Sequence, residues 1–252
     1  MLSEALSFPQ QHDDWLKTVL IGGVLTILGS VLFVPILPVQ GYLVRVLRAG
    51  VRGEDRAPVF EDWGELFVDG ILLFVVQLAY AIVPILVILF GVFVVGTGAF
   101  AAESGAGGAG TGLGIVGGLV FLVGILLVLV ASYLIPAATA NFAHEGDLGA
   151  AFDLSTVRKG AFTGDYFVAV VLAIVVSLVL GFVGALLTVL LVGIFVLFYV
   201  QVVTYYLFGR GFGEGLGVEP TGDDGFGGTG DDTGEGDEET GDDRIPDPDP
   251  LT

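Results

Sequence analysis

The chain has 252 residues, of which 54% are hydrophobic and only 15% are charged, against about 25% charged residues in soluble domains. It contains no cysteine, so disulfides, thiolate metal sites and catalytic thiols are excluded. Its formal charge is −19, from 28 acidic against 9 basic residues, and a chain this acidic is not expected to bind nucleic acid.

Long stretches without charge predict a multi-pass membrane protein. No charged residue occurs from Tyr166 to Gly209, and one charge at a bilayer centre costs roughly 2.5–3.5 kcal/mol. The runs are continuous rather than alternating, so the predicted fold is all-α, a polytopic transmembrane helical bundle. Gly181 and Gly184 predict the turn that divides the last run. The five predicted spans are Thr18–Val39, Ile71–Val95, Leu113–Ile135, Tyr166–Leu180 and Leu186–Phe208.

The basic residues predict the orientation of these spans. Five spans place seven bases on one side of the membrane, namely Arg45, Arg48, Arg52, Arg56, Arg158, Lys159 and Arg210. The positive-inside rule then predicts a cell-membrane protein with its N-terminus outside and its C-terminal tail in the cytoplasm. The residues before Lys17 lack the basic start of a secretory signal, so the first run is expected to remain as a membrane anchor.

Two loops on the predicted cytoplasmic side have helical spacing of apolar residues. The segments Pro58–Asp69 and Asp147–Ala161 each predict a short amphipathic helix that lies in the membrane interface. Several aromatic residues are expected at the same level, as in the aromatic belts of membrane proteins. These interfacial aromatics are Trp15, Phe60, Trp63, Phe67, Phe152 and Tyr166.

The chain is therefore divided into three predicted regions. Residues 1–17 are an N-terminal interfacial segment, 18–209 a transmembrane helical domain, and 210–252 a disordered acidic cytoplasmic tail. Two interpretations of the acidic residues remain open. Half of them lie from Glu214 onwards, which suits a local acidic tail with its own role. The other loops are acid-rich too, which favours a proteome-wide bias toward Asp and Glu.

A few polar residues lie within the predicted spans, and they allow two interpretations. Gln77 and Tyr80 share one face of the second span, and Gln201 and Thr204 share one face of the fifth. Together they would line a small polar cavity. Alternatively they form helix–helix hydrogen bonds, which are worth about 0.6 kcal/mol each in membranes. The spacing of Gly110, Gly114 and Gly118 indicates a close helix crossing at the third span.

The sequence offers no catalytic or metal-binding constellation. His12 and His144 stand beside acids but are far apart in sequence, and a catalytic zinc site needs three protein ligands with defined spacing. No acid, base and nucleophile are brought together, so the chain is not expected to be an enzyme, and no cofactor or metal is expected. The predicted spans contain no ionisable residue, which argues against a proton relay.

Several loop segments resemble a known family. They are Gly41–Tyr42 with Arg45, Arg48 and Gly53, then Pro58–Gly70, Ala140–Ala143, Ala150–Asp153 and Asp165–Tyr166. These segments are similar to the family catalogued as domain of unknown function 4013, over about residues 1–210. The resemblance implies an uncharacterised multi-pass membrane protein of a kind common in halophilic archaea. It implies no activity and no catalytic residues.

Two functions follow as expectations. The first is a non-enzymatic membrane protein that organises the membrane or binds partners, because the loops are amphipathic and the spans lack ionisable groups. Its partners would be the lipid bilayer and, beyond it, other membrane proteins or a second copy of the chain. The alternative is a permease or channel component for a small uncharged solute, lined by the four polar residues of spans two and five.

Overall fold

Residues 1–219 are described by the computed structural model, and within them all regular structure is helical. Three short 3-10 helices, Phe8–Gln10, Leu148–Phe152 and Thr188–Leu190, join longer elements. The α-helices are α1 (Leu2–Ser7), α2 (Trp15–Leu32), α3 (Ile36–Arg52), α4 (Trp63–Glu103), α5 (Gly107–Glu145), α6 (Leu154–Ala161), α7 (Gly164–Leu187) and α8 (Val192–Leu216). Most of the predicted acidic tail lies outside the described residues. Its first residues, however, continue α8, where Arg210 pairs with Glu214 at 2.8 Å.

Five helices are long and apolar enough to cross a membrane, which confirms the predicted number. They are α2, α4, α5, α7 with its 3-10 extension, and α8. The helices extend beyond most of the predicted spans, because a helix does not end where the hydrocarbon ends. The second apolar run is one helix of 41 residues with Pro84 inside it. At about 1.5 Å per residue it is about 60 Å long, twice the hydrocarbon thickness.

The turn between α7 and α8 lies at residues 188–191, not at the predicted glycines. Leu191 makes it with φ 59°, a left-handed conformation that usually favours glycine. Gly184 lies one turn before the end of α7, where its carbonyl leaves no room for a side chain on Gly193 of α8. The glycine signal was therefore real, but it marks a close helix contact rather than a chain reversal.

α3 was not predicted from the sequence. Most of its residues are buried, including Tyr42, Leu43 and Leu47, because it packs between α4 and α8. Glycines allow this close approach: a side chain on Gly41 would collide with the Leu66 carbonyl, and one on Gly50 would meet the Tyr206 carbonyl at 2.6 Å. The predicted first span merged the start of α3 with α2, although the turn at 33–35 separates them.

α4 and α5 form an antiparallel hairpin built on glycines seven residues apart. Gly91 and Gly98 of α4 face Gly110, Gly117 and Gly124 of α5, and all five are buried. Because the repeat is seven residues, the glycines stay on the facing sides and the backbones touch. The predicted close helix crossing is present and includes Gly110, but the glycines that make it are spaced by seven residues rather than four. A side chain on Gly114 or Gly118 would meet nothing within 4 Å.

The first predicted amphipathic helix is not a separate element. Residues 58–62 are not helical, and residues 63–69 are the first two turns of α4. Its helical spacing was correct, but nothing breaks the helix before the apolar run begins. The second segment is closer to expectation. It consists of the 3-10 helix Leu148–Phe152 followed by α6.

The start of the chain and the end of α8 lie at the same end of the helical domain. The Phe8 ring stacks on the Tyr206 ring with centroids 3.9 Å apart, and Glu4 interacts electrostatically with Arg210. Asp14 and Lys17 line a small cavity together with Glu61. This end, which we call the charged end, comprises residues 1–17, 53–62, 146–163 and 210–219.

Five simple crossings would separate the start of the chain from the end of α8, whereas the structure brings the two segments into contact. The expectation counted α2 as a single crossing, whereas α3 returns from the tip of α2 to the charged end. Three hairpins result, α2–α3, α4–α5 and α7–α8, and each begins and ends at the charged end.

Candidate functional site

The four residues predicted to line a polar cavity have separate partners. Gln77 lies within hydrogen-bonding reach of the Tyr205 hydroxyl. The Thr204 hydroxyl is 3.1 Å from that of Ser177 on the neighbouring helix α7. The Tyr80 hydroxyl donates a hydrogen bond to the Ala151 carbonyl at 2.6 Å. Gln201 is partly buried on α8. Gln77 and Thr204 thus have interhelical partners, while Tyr80 bonds to the segment before α6, and the polar cavity between spans two and five stays a prediction.

Tyr80 does line a cavity, but a different one. The cavity has a volume of about 310 Å³ and lies where α4 meets the segment before α6. It is lined by Ala79, Tyr80, Val83, Phe152 and Leu154. The walls are largely apolar and the cavity is open on one side. It suits a hydrocarbon chain better than a polar solute.

Two tyrosines attach the segment 148–163 to the long helices. Tyr80 of α4 holds its beginning through the Ala151 carbonyl, as described above. Tyr133 of α5 holds its end by donating to the Ala161 carbonyl at 2.7 Å. The Tyr80 ring stacks on Phe152 with centroids 5.8 Å apart, and the Tyr133 ring lies 6.1 Å from that of Phe162. Both exposed phenylalanines are thus held in place by a tyrosine.

Between these two attachments lies α6, which has a strong N-cap. The Asp153 carboxylate accepts hydrogen bonds from the backbone N–H groups of Ser155 and Thr156 and from the Thr156 hydroxyl, the last at 2.6 Å. Bonds from Thr156 and then Ser155 lower the pKa of Asp153. The carboxylate therefore stays ionised at neutral pH and is occupied in starting the helix.

The outer face of α6 is apolar and basic. Val157, Gly160 and Ala161 are buried against the protein. Leu154 is 63% exposed and Phe162 is 71% exposed, and Arg158 lies between them on the same face. Lys159 is exposed at the edge of that face. We call this group of exposed residues, Phe152, Leu154, Arg158, Lys159 and Phe162, the α6 patch.

The predicted interfacial aromatics fall into two groups. Trp63 and Phe152 are exposed, while Trp15 and Phe67 are partly buried. Tyr166 and Phe60 are instead buried in the protein, so their side chains contact other residues rather than the surroundings. The Tyr166 hydroxyl donates a hydrogen bond to the Tyr133 carbonyl at 3.0 Å, and the Phe60 ring stacks on the Tyr42 ring. Aromatic residues next to a span match both environments, so sequence alone does not separate them.

Two further cavities lie at or beside the charged end. One, of about 360 Å³, is lined by Asn141, Glu145, Asp147 and Asp153, among others. The other, of about 400 Å³, is lined by Arg48, Gly64, Glu65, Val68 and Asp69. Within residues 1–219, no three His, Asp or Glu side chains are grouped so that they could hold a metal ion. In the first cavity, the Thr156 hydroxyl is engaged with the Asp153 carboxylate at the start of α6.

Removing one tyrosine hydroxyl should loosen the segment 148–163. We expect Tyr133→Phe to cost about 1 kcal/mol, because it removes a hydrogen bond and leaves the Ala161 carbonyl without that donor. Amide hydrogen exchange in α6 should rise about five-fold if local opening controls it. Ser132→Ala is the control, because Ser132 is exposed and bonds only within its own helix. Equal exchange in both variants would contradict the role of Tyr133.

Comparison with known proteins gives one match. The family model described as "Protein of unknown function (DUF4013)" matches residues 24–189. This region runs from the middle of α2 to the turn after α7, about two thirds of the chain, and it includes α3 and the α6 patch. No curated protein and no solved structure matches the chain. The all-helical chain with five membrane-spanning candidates thus belongs to the DUF4013 family of proteins of unknown function.

Proposed function

We propose that this membrane protein is a non-enzymatic platform that organises the membrane or binds partner proteins at its charged end. One observation carries the proposal. The large buried side chains are concentrated at and next to the charged end, for example Phe8, Tyr42, Phe142 and Phe212. Beyond it, most large apolar side chains of the α4–α5 hairpin from residue 85 to 130 are exposed, and the one charged residue there, Glu103, lies at the tip.

The two regions suit different surroundings. An exposed apolar surface of this extent matches hydrocarbon, where it needs no protein partner. The charged end instead has a packed core with polar residues outside it, as in a soluble domain. Such a rigid surface, held at the membrane by three hairpins, supports binding rather than chemistry.

We further propose that the charged end faces the cytoplasm, with both the N-terminus and the end of α8 on that side. Among residues 1–219, all basic side chains lie at the charged end or in the part of α3 next to it. The three opposite turns, at residues 33–35, 104–106 and 188–191, contain no base. Such an asymmetry supports a cytoplasmic location of the charged end.

A charge reversal at the charged end tests the platform. Asp55 and Glu61 are exposed there, and Glu103 is exposed at the opposite tip of α4. We expect partner proteins to copurify, after crosslinking in the native membrane, with wild type and with Glu103→Lys. With the double variant Asp55→Lys/Glu61→Lys, the amount of copurified partner protein should be at least ten-fold lower. Equal recovery with both variants, or no partner with wild type, would contradict the proposal.

The permease alternative stays a prediction, and one assay addresses it. Tyr80 lines an apolar cavity and bonds to the Ala151 carbonyl, and Thr204 bonds to Ser177, which weakens the case for a solute path lined by the four residues. Proteoliposomes containing the purified chain should therefore show no flux of small uncharged solutes above protein-free vesicles. Flux that Gln77→Leu abolishes would favour the permease and would count against the platform.

A further inference from the structure

We propose that the α6 patch and the cavity beside it bind one anionic phospholipid. An acyl chain would occupy the cavity, and the phosphate would lie against Arg158 and Lys159. The inference rests on the proposed function in one respect, that the charged end lies at the membrane surface. It adds the chemical class of the lipid and the residues that select it.

The apolar half of the site is the cavity of about 310 Å³. Val83 on its wall is 56% exposed and belongs to the apolar outer surface of α4, so the cavity opens toward the lipid-facing side of the bundle. Phe152 and Leu154 close its other side from the segment 148–163. A chain that enters this space buries its methylene groups against apolar walls, which stabilises the complex.

The basic half lies one helical turn away. Arg158 follows Leu154 by four residues, so their Cβ atoms are about 5–6 Å apart on one face of α6. A guanidinium there reaches the rim of the cavity and matches the geometry of a phosphate, to which it donates two parallel hydrogen bonds. Lys159 adds a second positive charge beside it.

The charges of Arg158 and Lys159 are available for a ligand. Within residues 1–219, neither side chain forms an ion pair, whereas Arg45, Arg52 and Arg210 do. Asp153, five residues before Arg158, is engaged in capping α6. In a chain with a formal charge of −19, two adjacent unpaired bases flanked by exposed phenylalanines form a local surface of opposite sign. Anionic headgroups complement that surface, and zwitterionic ones do so less well.

The site is also preorganised. The two tyrosine hydrogen bonds hold the segment 148–163 at both ends, and the Asp153 cap fixes the start of α6. The basic residues therefore need little ordering before a lipid binds, which favours affinity. The Tyr80 ring contributes to both features, since it lines the cavity and stacks on Phe152.

The test compares two lipids with the same acyl chains on the purified full-length chain in detergent. Native mass spectrometry should show phosphatidylglycerol bound at least ten-fold more tightly than phosphatidylcholine. The double variant Arg158→Gln/Lys159→Gln should have an affinity for phosphatidylglycerol about thirty-fold lower, since each base near a lipid surface contributes about 1 kcal/mol. Arg56→Gln is the matched control, because Arg56 is exposed at the charged end but outside the α6 patch. The affinity of the Arg56→Gln variant for phosphatidylglycerol should equal that of wild type.

A second pair of variants tests the cavity. Ala79→Trp should fill the cavity and lower the affinity for both lipids at least five-fold. Ala99→Trp, at an exposed position on the same helix, should leave both affinities unchanged. Inorganic phosphate at millimolar concentration should not displace the lipid, because it lacks the acyl chain. Equal affinity for the two lipids in wild type, or an unchanged double variant, would overturn the proposal. This binding assay contains no partner protein, so its failure is separate from that of the platform.

Discussion

Replacing Gly117 by leucine should separate α5 from α4, whereas the same replacement at Gly118 should be tolerated. A Cβ on Gly117 would lie 2.6 Å from the Val95 nitrogen and 3.0 Å from the Gly91 carbonyl, both backbone atoms of the partner helix. Backbone cannot rotate away as a side chain can, so the helices must move apart. A Cβ on Gly118 would meet nothing within 4 Å.

The expected difference between these variants is large. Overpacking a close contact costs about 3 kcal/mol, and the loss of helix–helix contact along the glycine repeat adds to it. At roughly 2–4 °C per kcal/mol, Gly117→Leu should lower the melting temperature by about 6–12 °C. Gly118→Leu should leave it unchanged or raise it slightly, because leucine favours the helix over glycine by about 0.8 kcal/mol.

Thermal unfolding of the detergent-solubilised variants measures this difference. The reciprocal change Gly91→Leu should behave like Gly117→Leu, because its Cβ would lie 2.6 Å from the Phe121 nitrogen across the same contact. The exposed Gly96 on α4 is its control, since nothing lies within 4 Å of a Cβ there. Similar melting temperatures for Gly117→Leu and Gly118→Leu would show that the hairpin does not depend on the glycine repeat.

Single cysteines at Ser3 and Ser155 should be labelled from the same side of the membrane, and a cysteine at Ser104 from the other. Ser3 and Ser155 are exposed at the charged end, and Ser104 is exposed at the tip of the α4–α5 hairpin. The chain has no native cysteine, so each label reports one position. An impermeant thiol reagent on intact cells should modify the Ser104→Cys variant only.

This result depends on the hairpin that α2 forms with α3. A chain with five simple crossings predicts that Ser3→Cys is labelled together with Ser104→Cys, so the first position discriminates between the two topologies. After the membrane is permeabilised, all three variants should react equally, which controls for access. Labelling of Ser3→Cys in intact cells would place the N-terminus outside. That result would be inconsistent with the stacking of Phe8 on Tyr206.

The long apolar helices could be predicted from sequence because hydropathy reports directly on contact with lipid. α4, α5 and α7 expose most of their apolar side chains, and their sequences have long runs without charge. α3 has the opposite character. It faces protein on nearly all sides, and its arginines bond to neighbouring groups such as the carbonyls of Glu61 and Ala143. A scale that measures transfer into lipid does not register such a helix, although Val39, Leu43, Val46 and Leu47 repeat at helical spacing.

The candidate site could be predicted only in part. The helical spacing around Phe152 indicated an amphipathic segment at the membrane surface, and Arg158 and Lys159 were visible as bases before the fourth span. The role of Tyr80 was not visible, because its partner, the Ala151 carbonyl, lies 71 residues away in sequence. Backbone carbonyls carry no sequence signal, so no pattern could have paired it with this loop.

By itself, the sequence determined that this chain is a helical membrane protein with five long apolar helices, because apolar length and the lack of charge can be read from composition along the chain. Tertiary structure decided which helices pack against each other, because these pairings follow from backbone contacts at Gly41, Gly50 and Gly117 rather than from hydropathy. It also decided which glycines turn the chain and which join helices. The same residue serves both purposes, and only the neighbouring backbone distinguishes them.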